Sequence, residues 1–203
     1  MSEAAFVDIA VVDYRAGNLT SVVKALSAVG AKLEVSSDPE VVNRAAKIVL
    51  PGVGHFAATR FLEERGLTAA IRSRVAEGAP FLGICVGLQW LFEGSTEAPE
   101  VPGAGFLAGR CERFVTSDKV PHVGWNSLSV RTESRLTAGV AEGSYVYFTH
   151  AYRMAPHKDT VAVTEYGGPF TAAVEATNIM GVQFHPEKSG AVGLRILKNF
   201  IEL

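Results

Sequence analysis

At 203 residues, 48% of them hydrophobic, the chain can bury one sizeable core, and a single domain spanning 1–203 is expected. A net charge of -2 excludes the basic footprint of a nucleic-acid or anionic-membrane binder. No apolar run approaches the roughly 18 to 20 residues that span a bilayer, and Met1-Ser2-Glu3 lacks the basic region of a signal peptide; a cytosolic, cytoplasmic protein with reduced cysteines is therefore expected.

The first half alternates strand-like and helix-like segments. Phe6 to Val12 is an apolar run ending at Asp13, suited to a parallel strand buried on both faces. After the turn at Asp13-Tyr14-Arg15-Ala16-Gly17, Asn18 is a plausible N-cap, and Val22, Ala25, Leu26 and Val29 recur at helical spacing until Gly30. Lys32 to Ser36 and Lys47 to Leu50 predict two more strands, separated by a helix started by Asp38 and Pro39. Helices are expected over Phe56 to Glu64 and Leu67 to Glu77. Pro80 to Ile84 then forms a strand leading into Cys85, and a helix carries Leu88, Leu91 and Phe92. Ser95 to Pro102 is expected to be a surface loop close enough to touch substrate.

From about Gly105 the segments shorten: Phe106 to Phe114, Leu128 to Val130, Tyr145 to His150, Val161 to Glu165, Phe170 to Glu175 and Ile179 to Phe184 predict a mainly antiparallel extension. Ser189 is expected to cap a last helix whose Val192, Ile196, Leu197 and Phe200 share one side. The order implies an α/β fold of three layers, α/β/α, with a mainly parallel central sheet and an antiparallel extension.

The chemistry centres on Gly83-Ile84-Cys85-Val86-Gly87. A reactive residue flanked by glycines between strand and helix is a nucleophile elbow, here with cysteine in the serine's place. The helix N-terminus that follows stabilises negative charge on the sulfur, and the Val86 N–H is a natural first oxyanion donor. About a hundred residues later, His185 and Glu187 offer a base and a carboxylate to orient it, so cysteine, histidine and glutamate together suggest acyl transfer through a thioester. Pro51-Gly52-Val53-Gly54, at a strand end, could face the elbow and supply a second donor from the Val53 N–H. There is no CxxC, HxxxH or HExxH spacing for zinc and no phosphate loop, so neither a metal nor a cofactor is expected. Cys111 reads as a small buried apolar residue.

Pro51-Gly52-Val53-Gly54, Gly83-Ile84-Cys85-Val86-Gly87-Leu88-Gln89 and Gln183-Phe184-His185-Pro186-Glu187 resemble, in order and over the whole chain, the three signatures of the class I (triad) glutamine amidotransferases. Within that class the sequence is similar to the glutaminase (HisH) family of imidazole glycerol phosphate synthases, through Asp13-Tyr14 with Gly17-Asn18-Leu19, Pro51 to Phe56, Pro121-His122-Val123-Gly124-Trp125-Asn126, Tyr147-Phe148 with His150, and His185 to Ser189. Several family leucines or methionines are replaced here by Val86, Leu88 and Val123, changes that spare the backbone roles.

The resemblance implies the class I amidotransferase fold and hydrolysis of glutamine to glutamate and ammonia. Cys85, His185 and Glu187 would be the triad, with Val86 and Val53 as the oxyanion hole. Glutamine would be held by Gly52, Gln89, Glu97 and the Thr149-His150-Ala151 segment. Nothing in the chain looks like a second, synthetic domain, so ammonia needs an acceptor elsewhere. The resemblance implies a heterodimer with a HisF-type (β/α)₈-barrel cyclase, which makes imidazole glycerol phosphate and aminoimidazole carboxamide ribotide in histidine biosynthesis. Asn18, Trp125, Tyr147 and Lys188 would lie at or near that interface. Rival readings are a glutaminase of anthranilate, GMP or pyridoxal phosphate synthesis, a free-standing cysteine hydrolase, and a catalytically dead subunit. The Pro121 to Asn126 segment argues against the first, and the complete triad against the last.

Overall fold

The computed structural model describes residues 6–15 and 19–203. The first half runs β1 (Val7–Val12), α1 (Leu19–Ala28), β2 (Leu33–Ser36), α2 (Pro39–Asn43) and β3 (Ala45–Gly52), then a 3-10 turn at Phe56–Thr59, α3 (Arg60–Glu64), α4 (Leu67–Ala76), β4 (Phe81–Cys85) and α5 (Val86–Leu91). The second half has β5 (Gly94–Ser95), β6 (Arg110–Arg113), β7 (His122–Ser127), β8 (Ser129–Val130), β9 (Tyr145–His150), β10 (Tyr152–Arg153), β11 (Thr160–Glu165), β12 (Pro169–Ala176) and β13 (Ile179–Val182), then a 3-10 turn at Pro186–Lys188 and α6 (Gly190–Ile201).

Eight strands form one mixed sheet in the order β2-β1-β3-β4-β13-β12-β11-β8. The run from β2 to β13 is parallel, and the pairs beyond β13 are antiparallel. Ile48, Val49 and Leu50 of β3 and every residue of β4 are buried, as strands covered by helices on both faces must be. In α1, Val22, Ala25 and Leu26 are buried at helical spacing. In α6, Gly193, Ile196, Leu197 and Phe200 do the same. Asp38 caps α2 by accepting the Glu40 N–H at 2.9 Å. Helices cover this mainly parallel sheet in the α/β/α layering expected from the sequence, with the antiparallel extension on one side.

Several boundaries differ from expectation. The Phe56 to Glu64 helix is a 3-10 turn followed by α3, and the Phe106 to Phe114 segment pairs only over β6. Ser95 to Pro102 is a surface loop anchored from beneath: Thr96, Pro99, Glu100 and Pro102 are exposed, Ser95, Ala98 and Val101 are buried, and backbone bonds such as Thr96 N–H to Cys111 O pin it. Asn18, the expected cap and interface residue, lies outside the described residues. Ser189 precedes α6, but its hydroxyl makes no cap. It donates to His185 O at 2.6 Å and accepts the Tyr147 N–H at 2.9 Å.

Sequence reading does not predict the two-residue strands β5 and β10, nor the longer β7. Strand β7 pairs antiparallel with β9 as a separate two-stranded ribbon, His122 opposite His150 and Trp125 opposite Tyr147. Its alternation is inverted: His122 is buried, whereas Val123 and Trp125 are more than half exposed.

Candidate active site

Three adjacent parallel strands, β3, β4 and β13, end at the same edge of the sheet. Gly52, the last residue of β3, is in register with Cys85, the last of β4. On the other side Val182 pairs with Ile84, so the chain leaving β13 delivers Gln183 to His185 beside the same elbow. The carboxyl ends of strands are where open α/β sheets gather their chemistry.

The elbow itself is strained. Cys85 has φ 55° and ψ -106°, a conformation that costs a non-glycine residue on the order of 1 to 3 kcal/mol and persists only when its surroundings impose it. The flanking glycines show how they impose it. A Cβ on Gly83 would overlap the Gly87 carbonyl, and one on Gly87 would overlap the carbonyl oxygen of Leu50 in β3. Strand, turn and first helical turn therefore pack backbone against backbone, leaving Cys85 at the N-terminus of α5 with Val86 as its first residue.

His185 is almost wholly buried, and its Nδ1 lies 2.9 Å from Glu187 Oε1. A carboxylate there accepts Nδ1–H and fixes the tautomer, which leaves Nε2 free to exchange a proton. Burial alone would lower the imidazole pKa. Cys85 and then Glu187 more than reverse this and raise it to about 10, so the ring carries a proton at neutral pH. Nε2 forms no hydrogen bond of regular geometry. The Cys85 thiol, on the end of the neighbouring strand, is the largest of the influences that raise the imidazole pKa. Gly193 lets α6 approach the backbone of Pro186, where any Cβ would overlap, and so holds the His-Pro-Glu turn against the helix.

Val53 follows Gly52 at the sheet edge and is half-buried. Gly52 is enclosed, since a Cβ there would overlap the Tyr14 hydroxyl and crowd Val86. Glu97 reaches across 41 residues to accept the Phe56 N–H at 2.7 Å, fastening the pinned loop to the glycine turn. Gln89 is buried, and its Nε2 donates to Tyr152 O at 2.9 Å and to Gln183 Oε1 at 3.1 Å. Thr149 and His150 end β9, followed by Ala151, whose carbonyl accepts the Phe114 N–H. The ribbon reaches His185 directly, because His185 N–H donates to Tyr147 O at 2.8 Å.

The expected interface residues cluster on the outer side of the ribbon. Trp125, 55% exposed, meets Tyr147 edge-on with ring centroids 6.0 Å apart, and Lys188 Nζ sits 5.6 Å from the Tyr147 ring. These aromatics form a wet surface, not core.

Two residues near the elbow escaped sequence reasoning. Tyr14 is buried with no partner for its hydroxyl; burial pushes its phenol above the usual range, and Cys85 adds to the shift. Gln183 donates from Nε2 to Cys85 Sγ at 3.6 Å. The motif containing Gln183 was visible in the sequence, but nothing local assigns a side chain preceding an apolar Phe-His pair to the thiol. Cys85 and Cys111 are both free thiols, and Cys111 is fully buried. Among the described residues no cluster of three or more His, Cys, Asp or Glu could hold a metal ion, and no helix is long and apolar enough to cross a membrane.

A family model for "Glutamine amidotransferase class-I" matches residues 10–203. Curated relatives named imidazole glycerol phosphate synthase subunit HisH include one from Thermococcus kodakarensis, 48% identical with 96% of this chain and 100% of the relative covered. Others come from Aquifex aeolicus, 47% identical with 94% of each covered, and Methanothermobacter thermautotrophicus, 46% identical with 96% and 98% covered. Among solved structures, a glutamine amidotransferase has TM-score 0.76 at 21% identity, with 96% of this chain and 99% of that chain covered. PurLQS from Thermotoga maritima has TM-score 0.76 at 18% identity, with 98% and 99% covered, so these two speak for the fold.

Proposed function

The chain belongs to the class-I glutamine amidotransferases, and from that premise we propose that it is the glutaminase subunit of an imidazole glycerol phosphate synthase, acting in histidine biosynthesis. Relatives carrying that name are 46 to 48% identical over nearly the whole chain. One observation carries the chemistry: the ends of β3, β4 and β13 converge, setting Gly52 opposite Cys85 and a buried His185–Glu187 pair beside it.

In this reading the whole of 1–203 works as one amidotransferase domain. Cys85 sulfur attacks the side-chain amide carbon of glutamine, forming a C–S bond while the carbonyl oxygen takes up negative charge. The N–H groups of Val86 and Val53 receive that oxyanion. His185 delivers its Nε2 proton to the departing ammonia, then removes one from water, which attacks the thioester and returns the electron pair to sulfur with release of glutamate. Glu187 stabilises the imidazolium throughout. Gly52, Gln89, Glu97 and the Thr149 to Ala151 backbone hold glutamine. For Gln89 the carbonyl end serves, since its Nε2 is engaged with Tyr152 and Gln183.

As a subunit of a synthase, the protein works with a cyclase. We take the partner to be a HisF-type β/α barrel in a heterodimer, docking on the face that carries Trp125, Tyr147 and Lys188; Asn18, expected to join them, lies outside the described residues. The reaction needs no membrane, and a cytoplasmic setting fits it. The isolated subunit is expected to be nearly idle until the cyclase binds its ligand.

Co-purification with such a barrel, followed by glutamine-dependent formation of imidazole glycerol phosphate, tests the reading. Replacing Cys85 with alanine should abolish synthesis from glutamine and leave synthesis from ammonia. Loss of both activities in a folded complex would make Cys85 structural, and full turnover by the subunit alone would remove the need for a partner.

A further inference from the structure

The Cys85 sulfur has a neutral hydrogen-bond donor besides its ionisable neighbours. Gln183 is fully buried, its backbone N–H is fixed to Ala172 O at 2.8 Å, and its side-chain Nε2 donates to Cys85 Sγ at 3.6 Å. A sulfur acceptor tolerates this longer separation, but only an N–H donor helps it; the carbonyl end of the same amide would repel a charged sulfur. Which end of Gln183 faces the thiol is therefore the decisive point.

That choice follows from two backbone carbonyls. Tyr152 O can only accept, so Gln89 must present Nε2 to it, and the same Nε2 donates to Gln183 Oε1. With its oxygen held by Gln89, Gln183 must turn its nitrogen to Cys85. Tyr152 O also orders the ring next to it. His150 Nδ1 lies 2.9 Å from Tyr152 O and so carries the proton, which leaves Nε2 to accept from His122 Nδ1 at 3.2 Å. His122 Nε2 then accepts from Asn126 Nδ2, a long contact at 3.5 Å, and Asn126 Nδ2 is oriented by Glu165 O at 2.9 Å. The donor and acceptor directions of these contacts are mutually consistent from Glu165 O to His150 and from Tyr152 O to Cys85. A buried network of this kind specifies one arrangement because each flipped member leaves an uncompensated polar group.

We propose that Gln183 is a further catalytic residue, whose side-chain N–H donates to the Cys85 sulfur, and that Gln89, aligned by Tyr152 O and the His122–His150 pair, is the positioning residue that keeps this donor turned to the thiol. The role in turnover rests on the glutaminase reading: the N–H stabilises sulfur when it carries the electron pair, before attack on the amide and again as the thioester breaks. The contact with the sulfur does not depend on what the substrate is. The ionisable side chains that interact with Cys85 are His185, backed by Glu187, and the phenol of Tyr14, which burial keeps protonated; Gln183 is uncharged, so replacing it alters the donor without removing any of them.

The test reads the sulfur without glutamine. Iodoacetamide alkylation of Cys85, followed by mass spectrometry across pH, is compared for wild type, Gln183→Met and Gln183→Glu, with near-ultraviolet circular dichroism as the fold control. Gln183→Met removes the donor, and the alkylation midpoint should rise by about one pH unit, or about tenfold in rate below the midpoint. Gln183→Glu preserves an acceptor for Gln89 but turns an oxygen to the sulfur, and should raise the midpoint further. Unchanged midpoints in folded variants would overturn the proposal. If neither variant folds, the side-chain N–H resonances of Gln183 in wild type should move through the same pH midpoint as Cys85 reactivity, and resonances that stay fixed would overturn it equally. A wild-type protein that makes no glutamate would instead defeat the glutaminase reading, leaving the alkylation result intact.

Discussion

His185 donates its backbone N–H to the carbonyl of Tyr147 at 2.8 Å, so the histidine beside the elbow hangs from the same residue whose ring sits beside Trp125 on the outer face. Ser189 closes the link by accepting the Tyr147 N–H and donating to His185 O.

Ser189→Ala should therefore behave as the loss of a clamp, not of a helix cap. Two buried backbone groups lose their partner, which costs about 2 kcal/mol. Urea unfolding should record that loss, and a kcat reduction larger than the change in KM should accompany it because His185 is displaced. A variant as stable and active as wild type would show the clamp to be idle.

The buried histidines set opposing pH limits on stability. Burial holds His122 at about 4 and His150 at about 3, while the unfolded imidazole titrates near 6.5. As pH falls below about 6.5 the unfolded state binds protons that the folded state does not, and stability declines toward pH 4. His185 works in the other direction. Its folded pKa is raised to about 10, so its contribution is complete below about pH 6.5 and lost as pH climbs to about 10. The urea midpoint should thus peak near pH 6.5 to 7. His185→Gln should flatten the alkaline side, and a slope unchanged by that substitution would contradict the assignment.

Tyr14 carries a buried hydroxyl without a partner, pressed against Gly52. Tyr14→Phe is expected to raise stability by about 1 kcal/mol, since a desolvated polar group disappears and the ring remains. Gly52→Ala should be strongly destabilising, and more tolerable in a Tyr14→Phe background. Thermal unfolding of the two single variants and the double variant provides the cycle; strict additivity would mean the hydroxyl is not what excludes a Cβ.

Trp125→Ala should leave the fold alone, because the side chain is 55% exposed. It should weaken binding to the cyclase by about tenfold or more, the usual cost of removing an aromatic anchor. Calorimetric titration with the proposed cyclase partner measures this. Equal affinity would move the interface off the ribbon.

The elbow, the placing of His185 and Glu187 after the last strand, and most elements of the parallel half were legible from residues 6 to 92 and 183 to 201, because each depends on a local requirement: periodic burial, a cap at Asp38, or glycines around a strained Cys85. Strand β7 was not, since it turns Val123 and Trp125 outward and buries His122, reversing the alternation by which half-buried strands are recognised. Its meaning lies on a surface, and a pattern rule written for cores cannot detect it.

What the sequence by itself determined is thus the chemistry available and the segments that carry it. Only the tertiary structure decided which groups meet: Gly52 opposite Cys85, Glu97 on the Phe56 amide, and Gln183 between Gln89 and the thiol. The reason is physical. Local dihedral preferences and hydrophobic period are set by neighbours along the chain, whereas strand order β3-β4-β13 and the direction of a buried amide are settled by hydrogen bonds closed across about a hundred residues.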